Sequence, residues 1–136
     1  MDLKNKIVSV IGLGKTGVAT ANFLARRGSK VSIMDNKPYN QLSELTDQLL
    51  PGIETVYQNC EPLPDSDLVV VSPSVDIESD FLKSSRQKGT EIISEIELAS
   101  RLNSASLIGI TGTNGKSTCT SSVSYTHLTL PTNREV

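Results

Sequence analysis

The chain has 136 residues, enough for one compact domain or for one domain and a piece of another. Hydrophobic residues make up 37%, aromatics only 4%, and tryptophan is absent, so aliphatic packing between helices and a sheet has to build the core. Thirteen Lys and Arg stand against 15 Asp and Glu, a net charge of -2, which argues against a nucleic-acid binder acting by bulk electrostatics.

The two cysteines, Cys60 and Cys119, are far apart and form no CxxC, so neither a disulfide scaffold nor a zinc site is expected. They read as reduced thiols of a cytoplasmic protein. The apolar run in the opening MDLKNKIVSVIGLG is too short for a membrane span and lacks a signal-peptide cleavage site. No membrane partner is expected.

Lys6 to Ile11 is β-branched and apolar and runs into Gly12-Leu13-Gly14, which predicts a buried parallel strand. Gly17 to Arg27 carries Val18, Ala21, Phe23, Leu24 and Ala25 at helical spacing, and Gly28 ends that helix. Lys30 to Asp35 is the next strand, completing a βαβ unit. Asn40 to Leu50 reads as a helix closed by Pro51-Gly52, and Ile53 to Tyr57 as a short strand. Pro62 and Pro64 mark a loop. Asp67 to Ser72 is a fourth strand, ended by Pro73. Glu78 to Lys88 reads as a helix, and Thr90 to Ile93 as a fifth strand. Ser94 and Glu97 have capping-box spacing at the start of another helix. Asn103-Ser104 is a polar break and the candidate domain boundary. Ser106 to Ile110 reads as a strand leading into a second glycine loop. Strands and helices alternate throughout, which argues for an α/β fold with a Rossmann-like parallel sheet flanked by helices. Beyond Ser117 the chain is Ser/Thr-rich, too polar and too short for a stable isolated helix. The lone histidine, His127, has no partner cluster.

Two loops carry chemistry. The first, Gly12-Leu13-Gly14-Lys15-Thr16-Gly17, is a G-x-G-x-x-G between strand and helix. Gly12 permits the tight turn, Gly14 lets the backbone approach a diphosphate, and Gly17 allows close packing. The helix N-terminus offers free N–H groups to an anion. Asp35 ends the second strand, where a ribose hydroxyl is usually met, so by itself this is a dinucleotide fingerprint. The second loop is Thr111-Gly112-Thr113-Asn114-Gly115-Lys116-Ser117-Thr118. Its backbone would wrap phosphates, with Lys116 neutralising the terminal ones and Ser117 placing a hydroxyl on Mg²⁺. Ile110 stands where the full G-x-x-x-x-G-K-S pattern has its first glycine. Two anion sites on successive βα units suggest two phosphorylated ligands, one of them a phosphoryl donor.

The second loop resembles the ATP loop of the Mur ligases, which add amino acids to the peptidoglycan precursor. The first loop, Asp35, Val71-Ser72-Pro73 and Ser94 to Leu98 resemble the branch of that family that adds D-glutamate to UDP-N-acetylmuramoyl-L-alanine. The likeness covers Ile7 to about Ser117. It implies a UDP-binding domain at residues 1–103 and the first strand and phosphate loop of a truncated ATPase domain at 104–123. Gly14, Lys15, Thr16, Asp35, Asn36 and Lys37 would lie around the uridine and its diphosphate. Ser74, which replaces a glycine usual in the family, would approach the same ligand. ATP would sit on Gly112, Thr113, Asn114, Gly115, Lys116, Ser117 and Thr118, with Lys116 catalytic and Ser117 on Mg²⁺. The implied reaction activates a carboxylate as an acyl phosphate, which the D-glutamate amine attacks. A monomer is expected. The family's remaining catalytic residues have no match here, so the chain alone is expected to be inactive. Tyr125 to Val136 resembles translated sequencing adapter, and residues 124–136 read as a non-native tail. Two other readings are an NAD(P)-binding oxidoreductase domain and a non-catalytic UDP-sugar-binding module.

Overall fold

A computed structural model describes residues 1–58, 63–105 and 108–124. The chain divides into two compact units, Met1–Ser104 and Ala105–Val136. The first runs β1 (Ile7–Ile11), α1 (Lys15–Arg26), β2 (Lys30–Asp35), α2 (Tyr39–Thr46), β3 (Glu54–Tyr57), β4 (Leu68–Val71), a 3-10 turn (Asp80–Leu82), α3 (Lys83–Gln87), β5 (Glu91–Ser94) and α4 (Glu95–Leu102). The strands form one five-stranded sheet in the order β3-β2-β1-β4-β5, every pair parallel. This is the Rossmann-like α/β architecture that strand–helix alternation predicts.

Period-two alternation sorts the strand residues onto two cores. Val8 and Val10 of β1, Val31 and Ile33 of β2 and Val70 of β4 face one side, where Val18, Ala21 and Leu24 of α1, Leu42 of α2 and Leu98 of α4 pack on them. Ile11, Met34, Val69 and Val71 face the other side, with Leu63 and Leu82. Each fully buried Leu or Ile contributes about 1.5–3 kcal/mol relative to exposure. One polar strip crosses the second face. The Ser9 hydroxyl, fully buried, meets Ser32 Oγ at 3.2 Å and Ser66 Oγ at 2.6 Å.

Several boundaries differ from the sequence reading. The first helix starts at Lys15, not Gly17, because Gly14 is its extended N-cap. The second stops at Thr46, whose hydroxyl donates to the Leu42 carbonyl. The Leu50 N–H is caught by Asn22 Oδ1 at 2.8 Å. The expected helix from Glu78 to Lys88 forms only from Asp80. The Glu78 N–H donates to Asp76 Oδ1, a local turn that competes with helix at its start. Ser94 caps α4 by accepting from the Glu97 N–H at 3.1 Å, while the Glu97 carboxylate pairs with Arg101.

The second unit corrects two expectations. Ser106 and Leu107 lie outside the described residues, and residues 108–110 are not in a strand. Ile108 is exposed. The polar stretch after the loop does form a helix, α5 (Lys116–Val123), with none of its residues buried. Gly115 sets its start in the left-handed region, and short-range bonds carry it: Cys119 N–H to the Gly115 carbonyl, and Thr120 Oγ1 to the Lys116 carbonyl. Cys60, His127 and the tail from Tyr125 lie outside the described residues.

Candidate functional site

The sheet order places a topological switch between β1 and β4. From β1 the chain moves outward to β2 and β3, then returns to β4 and β5 on the other side. The loops leaving β1 and β4 therefore diverge, and a crevice opens at the carboxyl ends of the strands. A cavity of about 710 Å³ lies there, lined by the loops after β1, β2, β3 and β4.

The glycine loop forms its floor, and its glycines differ in their reasons. Gly12 has φ +107, and a Cβ there would stand 2.7 Å from Ser72 Cβ. Gly12 N–H donates to the Met34 carbonyl at 2.8 Å, and Ser72 N–H to the Ile11 carbonyl at 2.9 Å, so the loop is sewn to β2 and to the end of β4. Gly17 is buried inside α1 against the Gly12 carbonyl. Gly14 lies on the cavity in ordinary extended backbone, and a Cβ there would meet nothing within 4 Å. Packing within the protein explains Gly12 and Gly17 but not Gly14. No side chain caps α1, and its first turn carries no acidic residue, so its N-terminal N–H groups remain available to an anion.

Asp35 serves the loop itself. Its Oδ2 accepts from the Leu13 N–H at 2.8 Å and its Oδ1 from the Lys37 N–H at 2.9 Å. One carboxylate thus holds the glycine loop and the turn after β2 in register. Asn36, Lys37 and Ser74 also line the cavity, and the Ser74 hydroxyl donates to Ser72 Oγ at 3.4 Å. Lys15 and Thr16 are exposed on the first turn of α1, beside the cavity wall rather than on it. Sequence reasoning misses Gln58, Val75, Asp76 and Phe81, which also line the cavity. Position after β3 and β4 was their available signal, since crevice residues follow strand ends.

The other candidate residues, Thr111 to Thr118, are all exposed in the second unit. Gly112 and Gly115 have φ +152 and +78, and Lys116 Nζ donates to the Gly112 carbonyl, closing the loop on itself. Among the described residues no group of three or more His, Cys, Asp or Glu could hold a metal, and no helix is long and apolar enough to cross a membrane. Two displaced titrations lie outside the cavity. The Lys88 ammonium, donating to Asp65, lowers that carboxyl below its ordinary value. Glu91 and then Glu97 raise the Arg101 guanidinium.

Comparison with known proteins bears on this site. The chain is 41% identical over 124 residues to a UDP-N-acetylmuramoylalanine–D-glutamate ligase of Koribacter versatilis, covering 89% of this chain and 27% of that protein. The ligases of the same name from Clostridioides difficile and Pelobacter propionicus are 42% identical over 127 residues and 45% over 124. They cover 90% and 88% of this chain, and 28% of each relative. The chain thus spans little more than a quarter of the length of these curated relatives. The family model for the Mur ligase MurD-like N-terminal domain matches residues 6–94, the stretch that builds the sheet and its crevice. The chain belongs to the MurD-like N-terminal domain family of the Mur ligases.

Proposed function

We propose that the first unit binds the UDP moiety of UDP-N-acetylmuramoyl-L-alanine, and that the chain is the N-terminal part of a cytoplasmic ligase that joins D-glutamate to it. The observation that carries this reading is Gly14. It lies on the cavity at the uncapped start of α1, and no internal packing calls for a glycine there. A diphosphate approaching the backbone does call for one. Lys15 and Thr16 would meet the phosphates from the first turn of α1. Asp35, Asn36 and Lys37 would border the uridine, and Ser74 would reach the ligand from the β4 side.

The loop Thr111–Thr118 suits a chain of phosphates. Gly115 is left-handed, the start of α5 has no side-chain cap, and Lys116 stands at its first position. The donor set for a magnesium ion is sparse, so Ser117 would hold it together with the phosphates it accompanies. When bound, ATP with Mg²⁺ supplies the phosphoryl group that activates the substrate carboxylate as an acyl phosphate for attack by the D-glutamate amine. Thr113, Asn114 and Thr118 would line the phosphate path with Gly112. Lys116 would stabilise charge on the transferring group.

Calorimetric titration of the chain with UDP-N-acetylmuramoyl-L-alanine and with NAD tests the reading. Saturable binding of the sugar nucleotide and none of NAD is the expected result. The reverse preference would favour an oxidoreductase domain.

A further inference from the structure

Gln58 follows the last residue of β3 and borders the cavity. Its backbone has φ +65, in the left-handed region that glycine and asparagine tolerate and glutamine rarely enters. Asn5 is the other non-glycine residue with positive φ among the described residues, and there the residue type suits the conformation. At Gln58 it does not. The conformation is held because the Gln58 N–H donates to the Asp35 carbonyl at 3.0 Å, one step beyond the Asp35–Tyr57 register pair. The same Asp35 fixes the glycine loop through Leu13. Gln58 is therefore tied, through one residue, to the floor where a diphosphate would lie.

The polar groups around the crevice divide by chemistry. The β4 side offers the Ser72 and Ser74 hydroxyls and the anionic Asp76. The β2–β3 side offers two carboxamides, Asn36 and Gln58, beside Lys37. Asp35 has already given each of its oxygens to a backbone N–H. Among the described residues, no hydrogen bond engages the Gln58 carboxamide. A uracil edge presents an N3–H donor between two carbonyl acceptors, and a carboxamide, with one acceptor beside one donor, complements half of that edge.

Building on the UDP reading above, we propose that Gln58 is a specificity-determining contact for the base. Its carbonyl oxygen accepts from uracil N3–H while its amide donates to the adjacent uracil carbonyl. The unfavourable backbone conformation keeps that carboxamide on the cavity.

Glycine takes φ +65 without strain, so Gln58→Gly deletes the side chain while favouring the backbone. The test compares wild type and Gln58→Gly in the full 136-residue chain, titrated with UDP and with UDP methylated at uracil N3. The melting temperature of the variant should equal or exceed that of wild type. Its UDP affinity should fall about tenfold, the scale of a lost hydrogen-bonded pair. Methylation at N3 should weaken binding to wild type about tenfold and binding to Gln58→Gly hardly at all. Equal methylation penalties in the two proteins, or undiminished UDP binding by the variant, would overturn the Gln58 contact alone. Absence of UDP binding by wild type would overturn the UDP reading and this contact with it.

Discussion

Gly17 lies against the carbonyl of Gly12 so closely that a Cβ on Gly17 would stand 1.9 Å from that oxygen. Both partners are backbone, and Gly17 is buried, so no side-chain movement relieves the contact. The approach of α1 to the end of β1 depends on it. Gly17→Ala should push loop and helix apart at a cost of about 1–3 kcal/mol or more. For a unit of this size the melting temperature should fall on the order of 10 °C. Thermal denaturation followed by circular dichroism checks this, and an unchanged melting temperature would contradict it.

Gly14 is the opposite case. Its φ of -102 is open to any residue, and a Cβ there meets only space. Gly14→Val should cost the fold under about 1 kcal/mol, through the poorer N-cap. It should nonetheless weaken binding of UDP-N-acetylmuramoyl-L-alanine by about a hundredfold, because the side chain would occupy the approach proposed for the diphosphate. Calorimetric titration beside a melting curve separates the two effects. Wild-type affinity in the variant would sink the proposed phosphate position.

Asp35 ties Leu13, which is buried, to the end of β2. Asp35→Ala leaves the Leu13 N–H without this acceptor, at about 1–3 kcal/mol. Asp35→Asn keeps one oxygen and should lose less. Amide hydrogen exchange at Leu13 reads this directly. Protection should collapse in the alanine variant and survive in part in the asparagine variant. Equal protection in all three proteins would show that the carboxylate does not hold the loop.

Much of the fold is legible because the central strands β1, β2 and β4 are buried on both faces and announce themselves as apolar, β-branched runs. Ile7 to Ile11 and Leu68 to Val71 need no context to be read. The reasons for Gly12 and Gly17 follow from the motif and have matching geometry. The helix expected over Glu78 to Lys88 is too long at its start because Glu78 and Ser79 could as well belong to a helix as to a turn, and only the bond from Glu78 N–H to Asp76 Oδ1 decides. Gln58 is not legible in the sequence for a different reason. It belongs to no motif, and its place on the cavity comes from the Asp35–Tyr57 register, a contact between residues far apart in sequence. The helix from Lys116 is not legible in the composition, which argues against it, because its start is set by the left-handed Gly115.

The Asp65–Lys88 pair supplies a pH test. Lys88 Nζ donates to Asp65 Oδ1 at 2.5 Å, and this bond lowers the Asp65 carboxyl below its ordinary value. A depressed folded-state value means that the pair favours the fold above the unfolded carboxyl pKa, and that its contribution disappears as pH falls through the folded one. Both side chains are exposed, so salt should screen the effect. Lys88→Ala should return Asp65 to the ordinary carboxylate range in an NMR titration. Salt at about 1 M should move the wild-type value the same way. An Asp65 titration indifferent to both changes would mean the pair does not persist in solution.

Lys116 opens α5 and donates to the Gly112 carbonyl, its own loop, four residues back. A neutral carbonyl is a weaker partner for an ammonium than phosphate oxygens, because a full negative charge attracts it more strongly than a carbonyl dipole does. The lysine should therefore leave Gly112 when phosphates arrive. In a ligase of the relatives' full length carrying this loop, Lys116→Ala should lower kcat by about a hundredfold or more, the scale of losing one preorganised charge at a transition state. KM for the sugar nucleotide should change little, since the glycine loop at residues 12–17 belongs to the other unit. For the same reason, Lys116→Ala in the 136-residue chain should leave UDP affinity unaltered. Lys116→Arg should not restore the rate, because a planar fork does not replace a point charge of this reach. Steady-state measurement of ATP-dependent phosphate release, with both substrates varied, separates the two constants. A variant whose kcat survives while its KM for the sugar nucleotide rises would move Lys116 from the proposed phosphoryl-transfer site to the proposed binding of the UDP substrate.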